Sequence, residues 1–390
     1  MEATSRLYDD LLALLSQSKT WTDIRHLKTL VWMVIALICS ECINLTKWGI
    51  YMQSRALFAQ SRQRRFSRWL HNSRINVHSI YGTIIRSAVK DWKQEVMVLI
   101  LDTTMLWNEY CIVRVCVEYR GRAVPMGWRV LPHKSSSVPF EVYQPLLRRV
   151  SRLVPTGVEV RFLADRAFVD THLLRYLKEQ LGWHYRIRGK NDLWVWCGGK
   201  PPRQLKQFHL GLGEAMLLQG VKITKTDPYG LVSVAACCDP ISRELWYIIS
   251  DETPTLQTFH EYSQRFDIEE NFLDDKSNGF ELERSQIRSS IALSGLCLVL
   301  AVATLYLTCQ GQEVVACGLR RRIDCHWQRG NSYLRIGWQW IKGCLHQGWE
   351  SFHSLQLFGT SDPEPAIASK KQAQRQYERE FRVKSYCYST

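Results

Sequence analysis

The sequence predicts an α/β fold: a mixed-sheet core interrupted by a β-rich insertion, with helical N- and C-terminal regions. Three observations carry this prediction. "EVMVLILDTT" (95–104) and "VEVRFLADRAF" (158–168) contain continuous apolar runs, as strands buried on both faces do, and the runs close on Asp102 and Asp165. From residue 190 to about 250, short segments such as "LWVWC", "LVSVAACC" and "LWYIIS" alternate with Gly, Pro and Asp turns. Residues 1–90 carry apolar residues at helical spacing with few turn signals, and residues 322–345 read as further helix.

The elements follow in chain order. Residues 1–90 read as a helical region that ends in "SRQRRFSRWLHNSRIN" (61–76). There Arg62, Arg64, Arg65 and Arg68 sit among Phe66, Trp69 and His71, and cations interleaved with aromatics suit phosphate contact with packing. A solvated helical face is the alternative. Residues 91–190 form the first part of the core. After the strand at 95–104 come "YCIVRVCVEY" (110–119) and "AVPMGWRVL" (123–131), split by "RGR", an antiparallel meander. A helix (139–154), the second carboxylate-ended strand, a helix (170–181) and a strand (183–189) complete it. Residues 191–254 are the β-rich insertion. Residues 255–310 return to the core with a polar-striped helix and an apolar one. Residues 311–390 read as a helix pair within 322–345 and a polar tail, mobile or partner-bound, from about residue 360.

Charge and cysteine usage bound the function classes. The 51 Lys+Arg exceed the 37 Asp+Glu, and the net charge of +14 favours a polyanionic partner, nucleic acid or an acidic membrane surface. The 13 cysteines are odd in number and lie mostly in apolar runs, which reads as reduced thiols in a cytosolic protein. The single C-x-x-C, Cys39 to Cys42, has no second pair at zinc spacing. The N-terminus "MEATSRLYDD" does not read as a signal peptide. "IALSGLCLVLAVATLYLTC" (291–309) is long enough to span a membrane, but it carries Ser294, Gly295, Thr304 and Thr308 and directly follows a charged helix. A buried helix is expected there.

The stretch "YSQRFDIEENFLDDKSNGFELERSQ" (262–286) raises the functional question. At about 100° per residue with Tyr262 at zero, Arg265, Lys276 and Glu269 fall at about 300°, 320° and 340°. Phe259, Phe266 and Leu273 fall at about 60°, 40° and 20°, so the polar stripe lies inside the apolar face. Asn271, Asp274 and Asp275 fall on the solvated side. An inward Glu269 needs a cation or a metal to offset its desolvation, or is a structural ion pair with Arg265 or Lys276. Two strand-end carboxylates and one helix carboxylate, Asp102, Asp165 and Glu269, can converge on two divalent ions, the arrangement phosphodiester cleavage needs. Oxygen-only ligands select magnesium or manganese over zinc.

The spacing Tyr262-x2-Arg265-x3-Glu269-x6-Lys276 resembles, without gap, the Y-(2)-R-(3)-E-(6)-K signature of DDE transposases of the IS-four type. "LDTT" around Asp102 and "LADRAF" around Asp165 are similar to that family's two Asp motifs, with Ala167 where many relatives have Gly. The resemblance runs from about residue 60 to 345 and implies a ribonuclease-H-like catalytic core. It implies that Asp102, Asp165 and Glu269 ligate two Mg2+ ions, with Mn2+ able to substitute, and that Tyr262, Arg265 and Lys276 contact DNA near the cleavage point. It also implies double-stranded DNA partners (transposon ends and target), a homodimer in the synaptic complex, no membrane and no small-molecule cofactor. The protein would act on DNA in the cytoplasm of a bacterial-type cell, nucleoid-associated when active. Relatives cut through a hairpin whose flipped base stacks on a Trp, and Trp246 stands at the corresponding spot, with a sheet-core aromatic as the alternative. Arg186, Arg188 and Lys190 share one face of a strand and are expected on substrate phosphates. The rival functions are an inactive or domesticated DNA-binding relic and a ribonuclease-H-like nuclease without strand transfer.

Overall fold

The computed structural model describes residues 2–17, 21, 23–277, 279–366 and 381–388. Five helices come first: α1 (Glu2–Ser16), α2 (Ile24–Ser40), α3 (Leu45–Trp48), α4 (Ala59–Leu70) and α5 (Val77–Val89). Asp23 caps α2 by accepting from the Arg25 N–H, and Asn76 caps α5 by accepting from Ser79. The core follows as β1 (Val96–Leu106), β2 (Tyr110–Glu118), β3 (Ala123–Leu131), α6 (Phe140–Ser151), β4 (Glu159–Ala164), α7 (Thr171–Arg175) and β5 (His184–Arg188). Then come β6 (Trp194–Trp196), β7 (Arg203–Gln204), β8 (Glu214–Ile223), β9 (Tyr229–Cys238) and β10 (Leu245–Ser250). The chain ends in α8 (Gln257–Ser263), α9 (Asp267–Lys276), α10 (Ser290–Ala316), α11 (Tyr333–Gln347) and β11 (Arg382–Cys387).

The β1–β2–β3 meander is antiparallel, while β4 pairs parallel to β1 and β5 parallel to β4. That gives the strand order β3-β2-β1-β4-β5, the mixed ribonuclease-H-like arrangement predicted from sequence. The β1–β2 connection is three residues, Trp107 to Glu109; Trp107 and Asn108 are both left-handed (φ 51° and 55°), and the Glu109 N–H closes the turn onto the Leu106 carbonyl oxygen at 3.0 Å. The insertion does not fold apart from the core. β10 lies antiparallel against β5, and β9, β8, β6 and β7 extend the same sheet.

Alternation sorts the sheet residues onto two faces. Leu99, Leu101, Val113 and Phe162 join the main core, which continues through the N-terminal helices and α10. Val98, Ile100, Cys116 and Leu163 face the other way, where Ile268 and Phe272 of α9 cover them. α10 is long and apolar enough to cross a membrane, yet it packs against α2, α4, α5, α11 and β3, and most of it is buried. α11 lies close along it through Gly311 and Gly337: a Cβ at Gly337 would collide with the Leu307 carbonyl oxygen.

The C-terminal expectations need two corrections. Residues 322–345 hold one long helix, α11, rather than a pair; a short 3₁₀ turn at Arg320–Arg322 precedes it. The polar tail expected from residue 360 includes a strand, β11, which pairs parallel to β8 from Arg382↔Glu214 to Cys387↔Gln219. Residues 367–380 of that tail lie outside the described residues.

Candidate active site

Sheet register builds the site. The last β1–β4 pair is Leu101↔Ala164, so Asp102 and Asp165 are the next residues along two parallel neighbours. β1 continues past Asp102 to Leu106 paired with β2 alone, so Asp102 sits where β1 leaves β4 rather than at its own end. By alternation both carboxylates belong to the face that α9 covers. The Asp102 carboxylate accepts from the Thr103 N–H at 2.7 Å and from Arg265 Nη1 at 3.1 Å. Burial pushes its carboxyl up to about 6, partly opposed by Arg265 and the Thr103 N–H and reinforced by Asp165 and Glu269. Asp165 stands at the N-cap of the Arg166–Phe168 turn, yet its side chain makes no capping hydrogen bond.

The motif helix is not continuous. α8 gives way to a 3₁₀ turn at Gln264–Phe266, and α9 begins at Asp267. A 3₁₀ turn advances about 120° per residue, so three residues shift the phase by about 60° relative to an unbroken α-helix. The single wheel therefore fails for the second half. Asn271 and Asp275, expected on the solvated side, are buried, and Leu273, expected inside, is exposed. Asp275 pairs at 2.6 Å with Arg114 of β2, whose guanidinium also donates to Asn271 Oδ1 at 2.7 Å.

Arg265 lies in the break. Its Nη2 donates to Glu269 Oε1 at 2.5 Å while its Nη1 meets Asp102. The ion pair foreseen as one fate of Glu269 is therefore formed, but Glu269 is not inward: its side chain is 50% exposed. The three carboxylates do not bring their oxygens to within 4.8 Å of one another. They do supply hard oxygen donors around a partly desolvated Asp102 whose charge the other two oppose, and that set fits magnesium or manganese. Lys276 donates to the Met105 carbonyl oxygen at 2.6 Å and lies 3.7 Å from Glu283, which ties it to the end of β1.

Several expected DNA contacts are placed elsewhere. Tyr262 is fully buried, edge-on to Trp246 at 5.7 Å, and its hydroxyl makes no well-formed hydrogen bond. Trp246 is 6% exposed and also packs on Phe266, so neither of these rings offers a face to a base or phosphate. Arg186 is 3% exposed and spends its charge on Glu252 at 2.7 Å and Glu261 at 2.9 Å. Arg186 shares its sheet face with Arg188, which lies over Trp246, but the expected phosphate contact fails at Arg186 because it is buried and paired. Arg188 and Lys190 do line a cleft of about 630 Å³ together with Asp165 and Arg166. On α4, Arg62 donates to the carbonyl oxygens of Gly49 and Ala56, and Arg65 to Thr29 Oγ1, which are internal contacts. Arg64 and Arg68 are exposed.

No protein-family model matches the chain, and no curated protein sequence matches it. The chain is similar in structure to a piggyBac transposase, solved by cryo-EM as a synaptic complex with hairpin DNA. The TM-score is 0.44 at 10% identity, covering 98% of this chain and 83% of that chain. At that identity and score the likeness bears on neither activity nor partners.

Sequence reasoning missed Arg114, Asn271 and Asp275, which fasten α9 to the sheet directly beside Asp102, since Asp102 and Arg114 are register partners. The available signal was a lone arginine inside the apolar run "YCIVRVCVEY". A charge there demands a buried partner.

Proposed function

We propose that this protein is a DDE transposase of an insertion sequence. It binds the element's ends, cleaves DNA through a hairpin intermediate, and joins the freed 3′ ends to target DNA as a homodimer. The observation that supports this most is the register that sets Asp102 and Asp165 side by side at the parting of two parallel strands, with Glu269 linked to Asp102 through Arg265. Two magnesium ions held by Asp102, Asp165 and Glu269 would supply an activated water or 3′-hydroxyl and neutralise the leaving oxygen. Everything else falls to the chain's own groups. Arg265 carries a planar, paired-donor guanidinium already aimed at the carboxylates, the geometry that also grips a phosphate. Lys276 adds a second cation, held at Met105. Arg188 and Lys190 border the cleft at Asp165 and are suited to the strand that enters it. In this reading the helices of residues 1–90 meet the element end through exposed Arg64 and Arg68. Tyr262 acts by packing beneath Arg265 rather than by touching DNA; the guanidinium carbon lies 5.9 Å from its ring.

The test is strand cleavage of a duplex carrying the element's own end, with magnesium, resolved on a denaturing gel. Wild type should give nick and hairpin, and Glu269→Gln should give neither, a loss of at least about 1,000-fold, while still binding the duplex. Equal cleavage by the two proteins would sink the metal-ligand role of Glu269.

A further inference from the structure

The loop joining α10 to α11 is built to hold an aromatic ring away from the protein. Asp324, fully buried, accepts from the backbone N–H groups of His326, Gly330 and Asn331 and pairs with Arg320 at 3.4 Å. Buried Arg320 donates to the carbonyl oxygens of His326 and Trp327, both at 2.9 Å. Arg329, 1% exposed, donates to the Asn331 carbonyl oxygen at 2.9 Å and to Asp362 at 2.6 Å. This scaffold fixes the loop backbone on both sides of Trp327, which is 82% exposed. Its ring is covered on one side only by the Arg321 guanidinium, 4.4 Å from the centroid. Asp324, Cys325 and His326 could draw together around a metal, but the Asp324 oxygens are already taken by N–H donors and Arg320.

The charges are sorted by depth. The acids of this loop and of the segment against it, Asp324, Asp362 and Glu364, are spent on the buried arginines Arg320 and Arg329. Arg321 and Arg322 point outward, exposed, and no ion pair is formed by either among the described residues. A rigid exposed ring flanked by two unpaired guanidinium groups, on a chain of net charge +14, fits a polyanion that also offers flat apolar edges. The surface is separate from the carboxylates. α10 spans about 40 Å; it starts near the β1–β2 hairpin, where Arg288 pairs with Glu109, and reaches the loop only past its other end.

We propose that this loop is a second contact surface for double-stranded DNA, with Arg321 and Arg322 on phosphates and the Trp327 ring against a sugar or base edge. The proposal rests on the nucleic-acid part of the function proposed above and is independent of the carboxylate chemistry. The test measures affinity of the full chain for a labelled random-sequence duplex of about 30 base pairs across a salt series, long enough to span both surfaces. Each phosphate contact contributes about 0.9 to the slope of log K against log salt. R321A/R322A should therefore lower that slope by about two, and W327A should weaken binding several-fold with the slope unchanged. All three side chains are exposed, so unchanged unfolding midpoints verify that the variants are folded. Wild-type binding with unaltered affinity and slope in both variants overturns the loop proposal alone. No duplex binding by wild type at low salt overturns it together with the proposed function. A change in sedimentation of W327A without DNA assigns the surface to contact between copies and overturns the DNA reading of the loop.

Discussion

A single guanidinium, that of Arg265, meets Asp102 on the sheet and Glu269 on the helix above it. At this scale the sequence was informative about identity and less so about exposure. The ends of apolar runs singled out Asp102 and Asp165, and helical spacing singled out Arg265 and Glu269. For Trp246 the alternative of a sheet-core aromatic holds, but the burial of Tyr262 against it was not foreseen, because sheet twist and helix placement decide which aromatic stays accessible. Residue-level burial also sets a pH dependence away from the site. His78 on α5 packs against Trp128 at 5.4 Å, and burial, with the nearby Arg149 charge, pulls its imidazole down to about 4. Between that value and the ordinary 6.5 the unfolded chain holds a proton there that the folded one does not. Stability should therefore fall as pH drops from about 6.5 to about 4, by up to about 3 kcal/mol from this group, and level off below. His78→Leu should flatten that part of the curve in urea unfolding at a series of pH values; an unchanged slope would remove His78 as its source.

At the scale of elements, the decisive feature is the break between α8 and α9. α8 packs over β8–β10 through Phe259 and Tyr262, and α9 packs over β1–β3 through Ile268 and Phe272. The 3₁₀ turn between them turns the second helix so that Asp275 reaches Arg114. Helical periodicity assumes one phase, and nothing in the local sequence marks where that phase slips. Asp275→Ala should leave Arg114 buried and uncompensated, costing about 3–5 kcal/mol in chemical denaturation. R114M/D275L should recover most of it; equal losses in the two proteins would mean that packing, not charge, holds α9. The other unforeseen element is β11, whose partner strand lies far away in sequence. Removing residues 367–390 should open the outer edge of β8 at 214–219 and speed hydrogen exchange of its amides by at least about tenfold. Unchanged exchange in β8 would show that β11 adds nothing to that edge.

For the whole molecule, the legible part is the succession of strands and helices and the antiparallel meander; the order of the mixed sheet was only implied by the resemblance. The illegible part is the joining of the insertion to the core. Short β-segments between turns look like a separate unit, and only the β5–β10 pairing reveals one sheet. That continuity matters for the site, because the cleft beside Asp165 is walled by the β5 end and by Leu245 and Tyr247 of β10. Asp165, half-buried and with no capping hydrogen bond, is the proposed metal ligand on which the cleavage chemistry turns. The most direct measurement is strand cleavage by Asp165→Cys with magnesium and, separately, with manganese. A thiolate is a poor ligand for magnesium and a better one for softer ions. The variant should be nearly inactive with magnesium, by about 100-fold or more, and recover substantially with manganese. Wild-type cleavage by the variant in magnesium would remove Asp165 as a metal ligand.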